Sequence, residues 1–183
     1  MGLCNTSVVE RYDEETGTWD FAEIGNIFDV PDSYEPVYGK NTTTPFTWRS
    51  SAVASFIAGI RNSYCVEPIA EGRGLPEGHK SVEDYEDGIF LSEPPKKMRS
   101  RYDCEFIEGH NTWVLLSELL NFDYEQTFED RRSYGDENHE KVAKGHGVLT
   151  TYKEHLGELF FKDLEILKAL GKPDNIRVVW SFY

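Results

Sequence analysis

Residues 151–183 read TYKEHLGELFFKDLEILKALGKPDNIRVVWSFY, and this stretch decides the fold class. Between Thr151 and Leu170, Leu156, Leu159, Phe160, Leu164, Leu167 and Leu170 recur at the spacing of one apolar helix face. Gly171 suits the position just past a helix end, and Pro173 cannot continue a helix. The tail IRVVWSFY is β-branched and aromatic and reads as a strand. It is nearly apolar on both faces, which places it in the interior of a sheet rather than at its edge.

Working outward, SSAVASFIAGIRN (50–62) repeats the helical pattern. Val53, Phe56, Ile57 and Ile60 stand at i, i+3, i+4 and i+7, and Ser50 or Ser51 can cap the start. At the other end of the chain, residues 6–12 (TSVVERY) suit a strand, a turn follows at 13–17, and Thr18–Phe21 reads as the return strand. Residues 29–46 read as a loop, and so does the Gly- and Pro-rich stretch 66–79. Trp113–Leu116 suits a short buried strand, with Ser117 capping a following helix. Strands at both ends and no regular alternation with helices give an α+β fold. It is an antiparallel or mixed sheet that includes both termini, with main helices at about 50–62 and 151–170 packed on it. The chain is one domain, 1–183, with surface excursions at about 80–105 and 129–147. The expected core includes Phe56, Ile57, Ile60, Leu159, Phe160, Leu164, Leu167, Val178 and Trp180.

Composition bounds the function. The 183 residues carry 33 Asp+Glu against 19 Lys+Arg, a formal net charge of -14. Such a surface repels duplex nucleic acid and anionic membranes. No apolar run reaches membrane-spanning length. Cys4, Cys65 and Cys104 form no CxxC pair and read as idle thiols in a reducing compartment. Phosphate-binding, dinucleotide, nucleophile-elbow and HExxH signatures are missing, so the reading leans to binding over turnover, with no cofactor and no metal.

Two clusters carry candidate chemistry. Arg61-Asn62 closes a helix, and Glu71-Gly72-Arg73-Gly74 follows. Glycines beside an arginine admit a close backbone approach, and a guanidinium offers a two-pronged fork for phosphate or carboxylate. With equal weight, Arg73 pairs with one of the chain's many carboxylates and the glycines only shape a turn. The second cluster is Glu108-Gly109-His110-Asn111-Thr112-Trp113, in which a hydrogen-bonded structural histidine outweighs a ligand or a base. Taken as an anion pocket, the candidates are Arg61, Asn62, Tyr64, Arg73, Gly74, His110 and Trp113. Trp113 and Tyr64 supply stacking surfaces there.

The pieces RSSAVASFIAGIRN, PIAEGRGLPEG, GHNTWVLLSELLNFDYEQ and IRVVWSFY, in this order, resemble a family of small, mostly uncharacterised proteins of tailed bacteriophages. Members open with Met-Gly, a polar residue, Asp, Ile and His; here Cys4 and Thr6 stand at the Asp and His positions, so any metal chemistry that pair served in relatives is lost in this chain. The resemblance implies a phage accessory protein of the infected host's cytoplasm, serving takeover or counter-defence. On it, the first expectation is a protein that sequesters an anionic, nucleotide-like small molecule. The second is a hydrolase or transferase in which His110 works with Glu108 or Asp123. The third is an acidic protein inhibitor or DNA mimic, motivated by the net charge. A homo-oligomer stays open.

Overall fold

The computed structural model describes residues 5–33, 35, 39–46, 50–79, 96–99, 105–108, 110–132 and 141–182. Ten strands and three helices are set out along them. The strands are β1 (Asn5–Asp13), β2 (Thr18–Phe21), β3 (Phe28–Asp29), β4 (Asn41–Thr42), β5 (Lys96–Arg99), β6 (Glu105–Glu108), β7 (His110–Leu115), β8 (Thr127–Asp130), β9 (Val148–Thr151) and β10 (Ile176–Phe182). The helices are α1 (Ser51–Ala58), α2 (Leu116–Asn121) and α3 (Tyr152–Lys168). The fold is α+β, as the sequence predicts.

The main sheet has the order β2-β1-β10-β7 and is antiparallel throughout. Both chain ends therefore lie in it, and β10 is interior, hydrogen-bonded to β1 on one edge and β7 on the other. Three further antiparallel pairs, β3–β4, β5–β6 and β8–β9, stand apart from this sheet. Successive strand residues point to opposite faces. One face presents Val9, Val114, Ile176, Val178, Trp180 and Phe182 to the helices. Against it pack Phe46, Phe56, Phe160, Leu164 and Leu167. Phe46 stacks between Phe160 and Trp180, with ring centroids 4.9 and 5.8 Å away. The opposite face carries Glu10, Trp113, Arg177, Val179 and Ser181.

The helix ends follow local chemistry. Ser50 caps α1 by accepting from the Val53 N–H. The helix stops at Ala58, four residues before the end expected from the apolar pattern, because Gly59 adopts a left-handed conformation (φ 71°) and closes it. Ile60 therefore lies past the helix and is half-buried. For α2 the cap is not at Ser117: the helix begins at Leu116, and the Glu118 carboxylate accepts from the Leu115 N–H. Thr151 and Glu154 form a reciprocal capping box at α3. Within α3, Gly157 has φ 76° and ψ 172°, which breaks the helical ladder. The buried stripe keeps its period across the break through Leu156, Phe160, Leu164 and Leu167, and Leu159, beside that stripe, is only half-buried. The other expected core residues are buried.

Among the described residues no helix is long and apolar enough to cross a membrane. Most of the expected excursion 80–105, and residues 133–140 of the second one, lie outside the described residues.

An ionisable group sits among the helices' core residues. Asp163 is buried, and its Oδ2 accepts from the Phe46 N–H at 2.6 Å while Oδ1 has no hydrogen-bond partner. Burial, opposed by that bond, pushes its pKa up to about 7. A raised acid pKa means the folded state favours the neutral form. Its advantage is complete below the ordinary value of 3.8 and is lost as pH rises through about 7. Asp163→Asn keeps an acceptor for Phe46 and removes the titration. The variant should therefore gain stability over wild type between pH 4 and 8, by a few kcal/mol on the order-of-magnitude scale of 1.4 kcal/mol per pKa unit. Denaturant melts of both proteins across that range check this; a pH-independent difference refutes it. Phe160 is fully buried and touches Phe46, Phe56, Tyr124 and Phe161. Phe160→Ala should cost roughly 3–5 kcal/mol in the same measurement, the range for emptying an aromatic core site.

Candidate functional site

On the sheet face away from the helices, Glu10 of β1 lies directly across from Arg177 of β10. Arg177 Nε donates to Glu10 Oε2 at 2.5 Å, and His79 Nδ1 lies 2.6 Å from Glu10 Oε1. Arg177 Nη1 also donates to the Glu77 carbonyl, and the guanidinium lies 4.1 Å from the Trp19 ring centre. The side chains of Glu10, His79 and Arg177 are all buried. Burial holds the Arg177 pKa below its ordinary value, against the pull of Glu10.

Arg73 lies beside this group, 5.3 Å from the Trp113 ring centre. Its two terminal nitrogens donate to the two oxygens of Glu118 at 2.8 and 2.7 Å, and also to the Trp113 and Ile69 carbonyls. The pair is charge-assisted and two-pronged, and the Arg73 hydrogen bonds hold the Glu118 carboxyl below the usual carboxylate range. Gly72 and Gly74 both have left-handed φ, and a Cβ at either would meet nothing within 4 Å. They are glycines for the turn, not for crowding. The arginine-loop thus follows the structural one of the two sequence readings, with Glu118 as the partner.

The other predicted residues are divided. Asn62 closes its own loop, donating to the Val66 carbonyl and accepting from the Val66 N–H. Arg61 is exposed with φ 52°. Tyr64 shares no partner with Arg73 or Trp113; the Arg132 guanidinium stacks 4.0 Å over its ring and His155 meets its edge at 4.5 Å. His110 opens β7 opposite Phe182, and its side chain lies outside the described residues. Of the candidates, Arg73, Gly74 and Trp113 therefore come together. Sequence reasoning missed Glu10, His79, Glu118 and Arg177. A charge inside the apolar string IRVVWSF was the available signal for Arg177.

Around Tyr64, Asp130 pairs with Arg132 at 2.5 Å, and His155 Nε2 lies 3.4 Å from Ser55 Oγ. Burial and the Arg132 charge push the His155 pKa down to about 4, so it is neutral at pH 7. Ser55 is fully buried in α1 and donates to the Ala52 carbonyl, which removes it as a nucleophile. Among the described residues no group of three or more His, Cys, Asp or Glu is placed to hold a metal ion.

A different feature lies on the outer side of α3. A groove of about 1110 Å³ runs along it, with Phe161 and Ile166 as apolar floor. Five carboxylates line it, Asp29, Glu125, Glu154, Glu158 and Glu165, against two lysines, Lys153 and Lys162. Glu125 is paired with Lys153, and Glu154 is held in the helix cap. Glu165 is paired with Lys168 at 3.0 Å. Among the described residues the side chains of Glu158 and Lys162 make no hydrogen bond or ion pair. The break at Gly157 opens into this groove, with nothing within 4 Å of the Cβ position. Thr151 at the end of β9 lines the same groove, and Val148 and Leu149, earlier in that strand, are exposed at 63% and 74%.

No protein-family model, no curated protein and no solved structure matches the chain. The chemistry of the two surfaces therefore carries the functional reading.

Removal of Arg73 should loosen the loop it anchors and leave Glu118 without its cation. Because both groups are about one-third exposed, Arg73→Ala should cost about 1–2 kcal/mol rather than the cost of breaking a buried pair. A double-mutant cycle with Glu118→Gln, read by denaturant unfolding, measures it; additive single effects would mean the pair contributes nothing.

Proposed function

We propose that the protein acts by binding, and that its acidic surface engages a basic segment of another protein. The observation that carries this is the acid-rimmed groove over an apolar floor on α3, in a chain of net charge -14. Carboxylates at a low-dielectric rim attract lysines and arginines more strongly than scattered surface acids do. An apolar floor adds affinity that salt does not screen. Following the resemblance to phage accessory proteins, such a binder would occupy a basic surface of a host protein during takeover or counter-defence.

The nucleotide-sequestering reading meets a physical obstacle. Arg73 and Arg177 each already hold a carboxylate, so an anion beside Trp113 would have to displace Glu118 or Glu10. The acid–base reading centred on His110 rests on a side chain outside the described residues, and the buried histidine His155 offers no substitute, since its serine neighbour is sealed in α1.

Calorimetric titration of the protein with Lys/Arg-rich peptides and with a nucleotide panel, at low and high salt, separates these readings. Peptide binding that weakens with salt, together with no response to nucleotides, is the expected result. Nucleotide binding abolished by Arg73→Ala would overturn the proposal in favour of the anion pocket.

A further inference from the structure

The binding reading leaves open what form its partner takes, and the inference drawn here rests on that reading. From Glu158 onward α3 is a continuous helix whose inner stripe, Phe160, Asp163, Leu164 and Leu167, is buried in the core. Its outer stripe is Glu158, Phe161, Lys162, Glu165 and Ile166, at i, i+3, i+4, i+7 and i+8. That is the pattern of a second amphipathic face. Phe161 and Ile166 are half-buried apolar residues, and Glu158 and Glu165 stand two turns apart beside them. No other helix among the described residues packs along this stripe, and the groove follows it.

We infer that this outer face of α3 receives an amphipathic helix of a partner protein, with apolar residues on one face and lysines or arginines flanking them. The apolar face of that helix packs on Phe161 and Ile166, in the manner of ridges entering a groove. Its flanking cations lie against Glu158 and Asp29 and compete with Lys168 for Glu165. The spacing suits a helix because two turns of α3 cover about 10.5 Å, the same distance that separates basic residues seven apart on a helical partner. Charge decides between occupants. A second copy of this chain would bring acid against acid, and a nucleic acid would bring phosphate against the same carboxylates. A basic helix brings the complement. Gly157 helps by leaving open space where a side chain would otherwise stand at the head of the groove.

The test uses the whole chain and a fluorescent Leu/Lys peptide designed as an amphipathic helix, with a scrambled peptide of equal composition as control. Anisotropy titration gives Kd for wild type, for the charge-reversal pair Glu158→Lys with Glu165→Lys, and for Phe161→Ser. A second reversal pair, Glu15→Lys with Glu71→Lys, changes net charge equally at exposed positions outside the groove. The expected result is tight binding of the amphipathic peptide and weak binding of the scrambled one. The groove reversal should weaken binding about tenfold or more, and the distant reversal no more than about twofold. Glu158 and Glu165 are exposed, so the groove reversal tests the inference even if Phe161→Ser misfolds. Equal weakening by the two reversal pairs would sink the helix-in-groove inference while leaving an acidic binding protein intact. So would equal affinity for the scrambled peptide. Wild-type protein that binds no basic peptide at all would sink the underlying reading with it. A dimer in sedimentation that the groove reversal dissolves would assign the face to a second copy instead.

Discussion

Strand β10 is hydrogen-bonded along both edges, and all seven of its residues are buried. A strand buried on both faces must satisfy two different environments. One face offers Val178, Trp180 and Phe182 to the aromatic core formed with Phe46 and Phe160. The other carries Arg177, a charge that could not be desolvated alone. Its survival depends on Glu10, which the register of β1 delivers directly opposite, and on the Trp19 face that covers the guanidinium. The register of the sheet, the entry of the loop through Glu77 and His79, and the seat of the helices all follow from this one strand. A slip of one residue would turn Arg177 into the core and Val178 out of it.

The electrostatics of the molecule divide along the same line. On the loop-covered face of the sheet, each arginine has a carboxylate within hydrogen-bonding distance: Arg73 with Glu118, Arg177 with Glu10. That face is internally compensated, and its charges position loops and strands. The groove beside α3 is lined by five carboxylates against two lysines, and among the described residues the Glu158 side chain makes no ion pair, so an excess of negative charge faces solvent above an apolar floor. In a chain with net charge -14, this is the surface on which attraction to a cationic partner is reinforced by burial of apolar area.

The two helices and two terminal strand regions were legible because their signals are local. The apolar spacing of α3, the Thr151 cap and the Gly171–Pro173 stop need only neighbours in sequence. The same locality explains the misses. Ile60 kept the helical period but lay beyond Gly59, whose left-handed turn had already ended α1. Leu159 fitted the apolar spacing but stands beside the buried stripe of Leu156, Phe160 and Leu164 and is only half-buried. Of the candidate residues, Arg73 lies over Trp113, but Tyr64 went to Arg132 and His155 instead. Nothing in the local pattern distinguishes these destinations.

The sequence by itself therefore determined the class of fold, the interior place of the last strand and the excess of acid. Periodicity, turn chemistry and composition are properties of short windows, and short windows suffice for them. Only the tertiary structure decided which of 33 acidic residues would meet each arginine: Glu10 for Arg177, 167 positions away, and Glu118 for Arg73, 45 away. It also decided which stripe of α3 would be buried and which left facing solvent. An ion pair and an uncovered helix face are fixed by distances in space. Those distances are set by strand register and packing, which no local window contains.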